Sequence, residues 1–222
     1  MEPGTGEYFD SSIVDRNFFK IIDSEIKAYT LGLIATDGHI TYTTKGKYFA
    51  IELQQPDSIV LHSIAQAIKG NNSLVRQYNR VGKKPSERIR IYSRDLVEQL
   101  MELGITLKTG DRQCVRTFSP EVTRHYLRGI IDGDGGIHIN KVKEIILSVS
   151  SKDLAYGFTE LVKTHIGLEA STKELTINGK PFYKVGFWGR YKARPLIEWI
   201  YSDVTIAIPR KLEAASIWLS RF

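Results

Sequence analysis

Two aspartates suggest chemistry. Asp37 and Asp134 each stand directly before a glycine at the end of an apolar stretch, in LGLIATDG (31–38) and RGIIDGDG (128–135). They are 97 positions apart (134 − 37). One Asp-Gly pair is an ordinary helix end. A matched pair at corresponding points of two similar segments implies that the carboxylates have a shared task. If the two stretches pack side by side, the acids meet. Like charges repel in a partly buried site, and a carboxylate at a helix C-terminus meets the negative end of the macrodipole, at a typical cost of ~0.3–1 kcal/mol. Divalent cations between the acids offset both terms, and hard oxygen donors suit Mg²⁺.

The elements around the acids repeat too. After each motif comes a short strand pattern, a turn, and a second strand, YFAIELQQPD from Tyr48 and EIILSVSSKD from Glu144. Asp57 and Asp153 fall at matching places and open helical patterns that end near Gly70 and Gly167. Two more strands follow in each half, Leu74–Tyr78 and Arg88–Tyr92 in the first, Glu169–Ile177 and Phe182–Trp188 in the second, the latter pair joined by an Asn-Gly turn. A third helical pattern closes each half. The order is helix, two strands, helix, two strands, helix, twice over, as a tandem duplication with pseudo-two-fold symmetry. Residues 1–16 have no counterpart in the second half and read as an extension. The halves are expected at 17–108 and 121–222, joined by 109–120, where Ser119-Pro120 is an N-cap and first-turn pair.

The motif helices should touch. Ala28, Gly32 and Thr36 recur at a spacing of four, as do His125, Gly129 and Gly133. Small residues on one helix face let two backbones approach closely. Glycine inside a helix costs ~1 kcal/mol against alanine, so its use in both copies needs a packing reason.

TLGLIATDG (30–38) and LRGIIDGDG (127–135) resemble the two copies of the motif of the LAGLIDADG homing endonuclease family, in its two-motif, single-chain form. The resemblance covers about residues 25–222. It implies an α+β fold of two αββαββα units. Each has a four-stranded antiparallel, saddle-shaped sheet, and the units pack through the motif helices astride duplex DNA. It implies site-specific double-strand cleavage by divalent-metal-dependent phosphodiester hydrolysis. Asp37 and Asp134 would hold Mg²⁺ or Mn²⁺, and Ca²⁺ would bind without supporting cleavage. A basic residue is expected near each site, Lys108 in GITLKTG and Lys211 in AIPRKLE. Polar residues ending the second strand of each half are the third element, Gln54 and Gln55 in the first, Ser150 and Ser151 in the second. The first copy departs from the second in having Ala35 where the second has Asp132, which bears on the helix interface.

Alternation along the strands leaves one polar face per sheet free for a ligand. The candidates to read bases there are His39, Thr41, Thr43, Gln54, Arg76, Arg80, Arg88 and Arg90 in the first half. In the second they are His138, Asn140, Lys173, Lys184, Trp188 and Arg190. The loop lysines Lys45, Lys47, Lys83, Lys84, Lys141 and Lys143 would serve phosphates. These positions differ between the halves, so an asymmetric duplex is the expected partner, bound by a monomer. An intron-encoded RNA maturase and a non-cleaving DNA-binding regulator are the alternatives on the same fold.

Composition agrees. The net charge is +6, with 42% hydrophobic residues, which excludes bulk disorder. No stretch reaches the ~18–20 apolar residues of a membrane span. The acidic start, MEPGTGEYFDSS, has neither signal- nor transit-peptide character, and an intracellular location is expected. The single cysteine, Cys114, forms no internal disulfide and has no zinc-type companions, so a small buried thiol is expected.

Overall fold

The computed structural model describes residues 14–44, 46–70, 72–78, 82, 84–139 and 144–221. The first half runs α1 (Glu25–Asp37), β1 (Gly38–Thr43), β2 (Gly46–Gln54), α2 (Ile59–Lys69), β3 (Val75–Gln77), β4 (Ser86–Tyr92) and α3 (Arg94–Glu102). The second runs α4 (Pro120–Asp134), β5 (Gly135–His138), β6 (Glu144–Val149), α5 (Lys152–Ile166), β7 (Ser171–Ile177), β8 (Lys180–Trp188) and α6 (Arg190–Tyr201). It adds α7 (Pro209–Arg221), which the periodicity did not announce. Each half holds one four-stranded antiparallel sheet, in the orders β1-β2-β4-β3 and β5-β6-β8-β7.

Alternation fixes which face of each sheet is covered. Phe49, Ile51, Ile89 and Ile91 point into the core, as do Ile145, Leu147, Val185 and Phe187. Their neighbours face away from the helices. Helix ends follow local chemistry. Gly70 and Gly167 close α2 and α5 at φ 74° and 70°, the left-handed cap that glycine takes without Cβ strain. The β7–β8 turn uses Asn178 and Gly179 at φ 52° and 73°, as the Asn-Gly pair requires. Ser119 caps α4 by accepting from the Val122 amide, with Pro120 in the first turn.

Gly38 and Gly135 behave otherwise than an ordinary helix-stop glycine. Both are extended, at φ −81° and −92°. They are glycine because space is lacking. A Cβ on Gly38 would lie 2.7 Å from Ile34 Cα, and one on Gly135 would lie 2.6 Å from the Ile131 carbonyl oxygen.

Of the N-terminal extension, residues 1–13 lie outside the described residues. Val14 is buried, and the Asp15 amide donates to the Ile68 carbonyl at 2.9 Å, so the end of this segment packs on the first half. No helix among the described residues is long and apolar enough to cross a membrane. Cys114 is buried, and burial pushes its thiol up to about 12.

Candidate active site and nucleic-acid interface

α1 and α4 pack against each other more extensively than any other pair of elements, and the seam is backbone on backbone. A Cβ on Gly32 would come within 2.1 Å of the Tyr126 carbonyl oxygen and 3.0 Å of Gly129 Cα. One on Gly129 would come within 2.2 Å of the Tyr29 carbonyl oxygen. At the lower end Thr36 fills the space that Gly133 leaves, 2.0 Å from where a Cβ would stand. The small residues at a spacing of four therefore form the contact.

This contact brings the two carboxylates together. Asp37 Oδ2 lies 3.1 Å from the Cβ site of Gly133, the residue preceding Asp134. Burial and the neighbouring Asp134 carboxylate push the Asp37 carboxyl up to about 6, against the pull of Lys211, Arg210 and Arg112. Asp134 reaches further toward solvent. The protein around it still raises its carboxyl, while Arg112 and then Lys211 pull it down.

Two buried cations fasten the helix ends. Lys211 Nζ, on α7, donates to the carbonyls of Ile131 (2.7 Å), Asp132 (3.1 Å) and Gly135. Arg112 donates to those of Ala35 (2.8 Å), Thr36 (3.0 Å) and Gly38. These are equivalent turns of the two motif helices. The first-half counterpart of Lys211 is therefore Arg112. Lys108, which the sequence suggested, is exposed and precedes a short 3-10 turn at Thr109–Asp111 that carries the chain inward to Arg112. Burial draws the Lys211 ammonium down to about 8 and lowers Arg112 as well. Arg112, Asp134, Thr109, Ser148 and Ser150 line one cleft of about 250 Å³. Ser150 thus stands at the site. Ser151 is structural, since it caps α5 and its hydroxyl donates to the Arg112 carbonyl at 2.5 Å. Gln54 is exposed at the end of β2, across from Ser86.

Asp132, the second copy's extra acid, is a tie between halves. Buried, it accepts from Tyr29 Oη (2.8 Å), Tyr201 Oη (2.5 Å) and the Ile208 amide (2.7 Å). Burial outweighs these donors and leaves its carboxyl above the usual range. Ala35, its counterpart, has no such role. Glu25 likewise joins α1 to Arg128 on α4 and accepts from the Thr205 amide at 2.9 Å.

The sides of the sheets turned away from the core carry most of the expected readers. Register places His39, Thr41, Gln54, Arg76, Arg88 and Arg90 on one face of the first sheet, with Thr43 at its hairpin end. His138, Lys173, Lys184 and Trp188 share one face of the second. Arg190 opens α6 instead of continuing β8. Arg80, Asn140, Lys45, Lys83, Lys141 and Lys143 lie outside the described residues. Among the described residues no three His, Cys, Asp or Glu side chains cluster as metal ligands.

Residues 121–202 match the family model of the LAGLIDADG-like domain. The ribonucleoside-diphosphate reductase NrdEB subunit alpha of Bacillus subtilis (strain 168) is 27% identical over 136 residues, 56% of this chain. The match spans only 12% of that relative's length. Among solved structures, I-DmoI in complex with DNA and Ca shares 17% identity at a TM-score of 0.62, over 87% of this chain and 96% of that one. The homing endonuclease I-WcaI bound to its DNA recognition sequence shares 14% at 0.56, over 97% and 95%. Full-length DUF199/WhiA from Thermatoga maritima shares 13% at 0.57, over 96% of this chain and 66% of that one. At these identities the structures speak for the fold. Residues 121–202 thus carry a LAGLIDADG-like domain, and with two motif helices packed at its seam the chain has the fold of the LAGLIDADG homing endonucleases.

Proposed function

We propose that this protein is a site-specific endonuclease that makes double-strand breaks in a long, asymmetric DNA duplex. The carrying observation is the pair of carboxylates at the seam, Asp37 beside Asp134, both held above the ordinary range. Such a pair is unfavourable in a protein that only binds. A regulator or maturase on the same fold has no need of it for binding alone.

The residues fit a divalent metal. Asp37 and Asp134 are hard oxygen donors, and two acids alone leave coordination positions for phosphate oxygen and water, which suits Mg²⁺ or Mn²⁺. When bound, such ions supply activated water and charge neutralisation at the scissile phosphates. The chain's own part is placement. The seam glycines set the separation of the two acids. Arg112 and Lys211 hold the helix ends rigid and add positive charge beside them, where charge develops on phosphate. The two sheet faces fix the register of the duplex against the site.

The test is a plasmid pool carrying randomised inserts, incubated with the full chain and Mg²⁺. Linearised plasmids sharing one insert sequence are expected with the wild type and not with Asp134→Asn. Equal linearisation by both would sink the assignment.

A further inference from the structure

We propose that the two sheets read bases by different chemistry, so that the target is lopsided, with guanines facing the first half and thymines facing the second. The inference rests on the reading above of a duplex-DNA binder and names what each half recognises.

The first face is an arginine cluster. Arg88 stands directly across from Arg76 on one side and Glu52 on the other, and Arg90 lies two residues along. Directly opposed like charges destabilise a strand pair. Glu52 forms an ion pair with Arg88 and lessens this repulsion. The forks are ordered before any ligand arrives. The Arg88 guanidinium lies 3.5 Å from the Tyr78 ring centroid, and that of Arg90 lies 5.0 Å from Tyr48. The Nε atoms of both are buried without a hydrogen-bond partner. Arg76, Arg88 and Arg90 line a cavity of about 150 Å³ with Gln77 and Tyr78. A planar, pre-ordered fork matches the paired O6 and N7 acceptors of guanine.

The second face carries exposed apolar side chains among its lysines. The Trp188 ring lies over Gly186, whose Cβ would sit 2.5 Å from it, and the indole N–H donates to Glu144. Leu175 and Ile177 are 42% and 48% exposed on β7, and Phe182 stands across from Leu175. Leu175, Ile177 and Phe182 form an apolar patch at one end of β8 and Trp188 stands at the other, and exposed apolar side chains on a ligand face call for an apolar partner. On the major-groove edges of the bases that partner is the thymine methyl. The cations here, Lys173 opposite Lys184, are flexible point charges suited to phosphate.

The test selects a library of randomised duplexes on the full chain in Ca²⁺, then rebuilds the consensus with altered bases. Replacing guanine by 7-deazaguanine in one half should weaken binding about tenfold per base read. Replacing thymine by uracil in the other half should weaken it about fourfold per methyl. Selection with Arg88→Lys should relax the guanine preference in that same half only. An enriched consensus that is indifferent to both replacements, or sensitive to each in both halves, overturns the inference and leaves the functional reading standing. A pool that enriches no sequence overturns both.

Discussion

Arg112 and Lys211 are crossed partners. Arg112, in the linker, grips the first motif helix through three carbonyls and Lys211 grips the second in the same way. Yet Arg112 pulls hardest on Asp134 and Lys211 pulls hardest on Asp37, the acid of the opposite half. Each acid is therefore drawn down most by the cation that grips the other motif helix. Lys211→Ala and Arg112→Ala should each slow cutting by about 10²-fold, the scale of losing one preorganised charged donor, and weaken binding much less. Lys108→Ala should cut at the wild-type rate. Single-turnover rates on a cleaved plasmid check all three, and a Lys108→Ala defect as large as that of Arg112→Ala would reverse the assignment.

Asp37→Asn should abolish cutting and stabilise the fold at neutral pH. The folded carboxyl, at about 6, lies above its ordinary value of 3.8. Between those values the folded state holds more protons than the unfolded chain, so Asp37 costs stability as pH rises, in full above about 6. Urea denaturation in EDTA should show the Asn variant more stable at pH 7.5, on the order of 1–2 kcal/mol, with the gain gone near pH 4. A variant less stable than wild type at pH 7.5 would contradict this. By the same sign, cation affinity and wild-type cutting should fall as pH drops below about 6.

Asp132→Ala removes the acceptor of three buried donors, from Tyr29, Tyr201 and Ile208. Leaving such groups unsatisfied costs about 1–3 kcal/mol each when relaxation is incomplete. A total loss of at least ~3 kcal/mol by chemical denaturation is expected. Asp132→Asn should recover part of it. A loss below 1 kcal/mol for the alanine variant would mean the tie contributes little.

Gly32→Ala and Gly129→Ala should both be severely destabilising, since each new methyl meets backbone at 2.1–2.2 Å. More than ~3 kcal/mol is expected, because backbone cannot step aside as a side chain can. Alanine at Gly70 meets nothing within 4 Å and is limited by φ alone, so its loss should be near ~1 kcal/mol. Thermal melts of the three variants give the ranking, and equal losses would deny the seam its special status.

The duplication made the acids, the sheets and the small-residue stripe legible, because each signal appears twice at the same offset. Lys108 and Lys211 do not stand at matching offsets: Lys108 follows Asp37 by 71 positions (108 − 37) and Lys211 follows Asp134 by 77 (211 − 134). Arg112, 75 positions after Asp37 (112 − 37), comes closer to that register and takes the inward place. Arg112 could have been found as an arginine near the linker, though no pattern marks it as buried. α7 escaped notice because it covers α6 and β5 as a cap on an already complete unit. Trp218 is its fully buried anchor, and its indole N–H donates to the His138 carbonyl. The glycines after the acids were seen, but their reason is crowding against the preceding helical turn and not left-handed backbone.

The backbone-on-backbone seam has an engineering corollary. Contact through carbonyls and α-carbons asks for glycine at Gly32 and Gly129, with Thr36 against Gly133, so halves from different parents that keep these residues should be exchangeable along that ridge. Compatibility is instead written where side chains cross, and there Glu25 must arrive with Arg128, Asp57 with Arg210, and Tyr29 with Asp132. A chimaera that transplants these three couples as units keeps the lock of the parent molecule while exchanging what each half recognises.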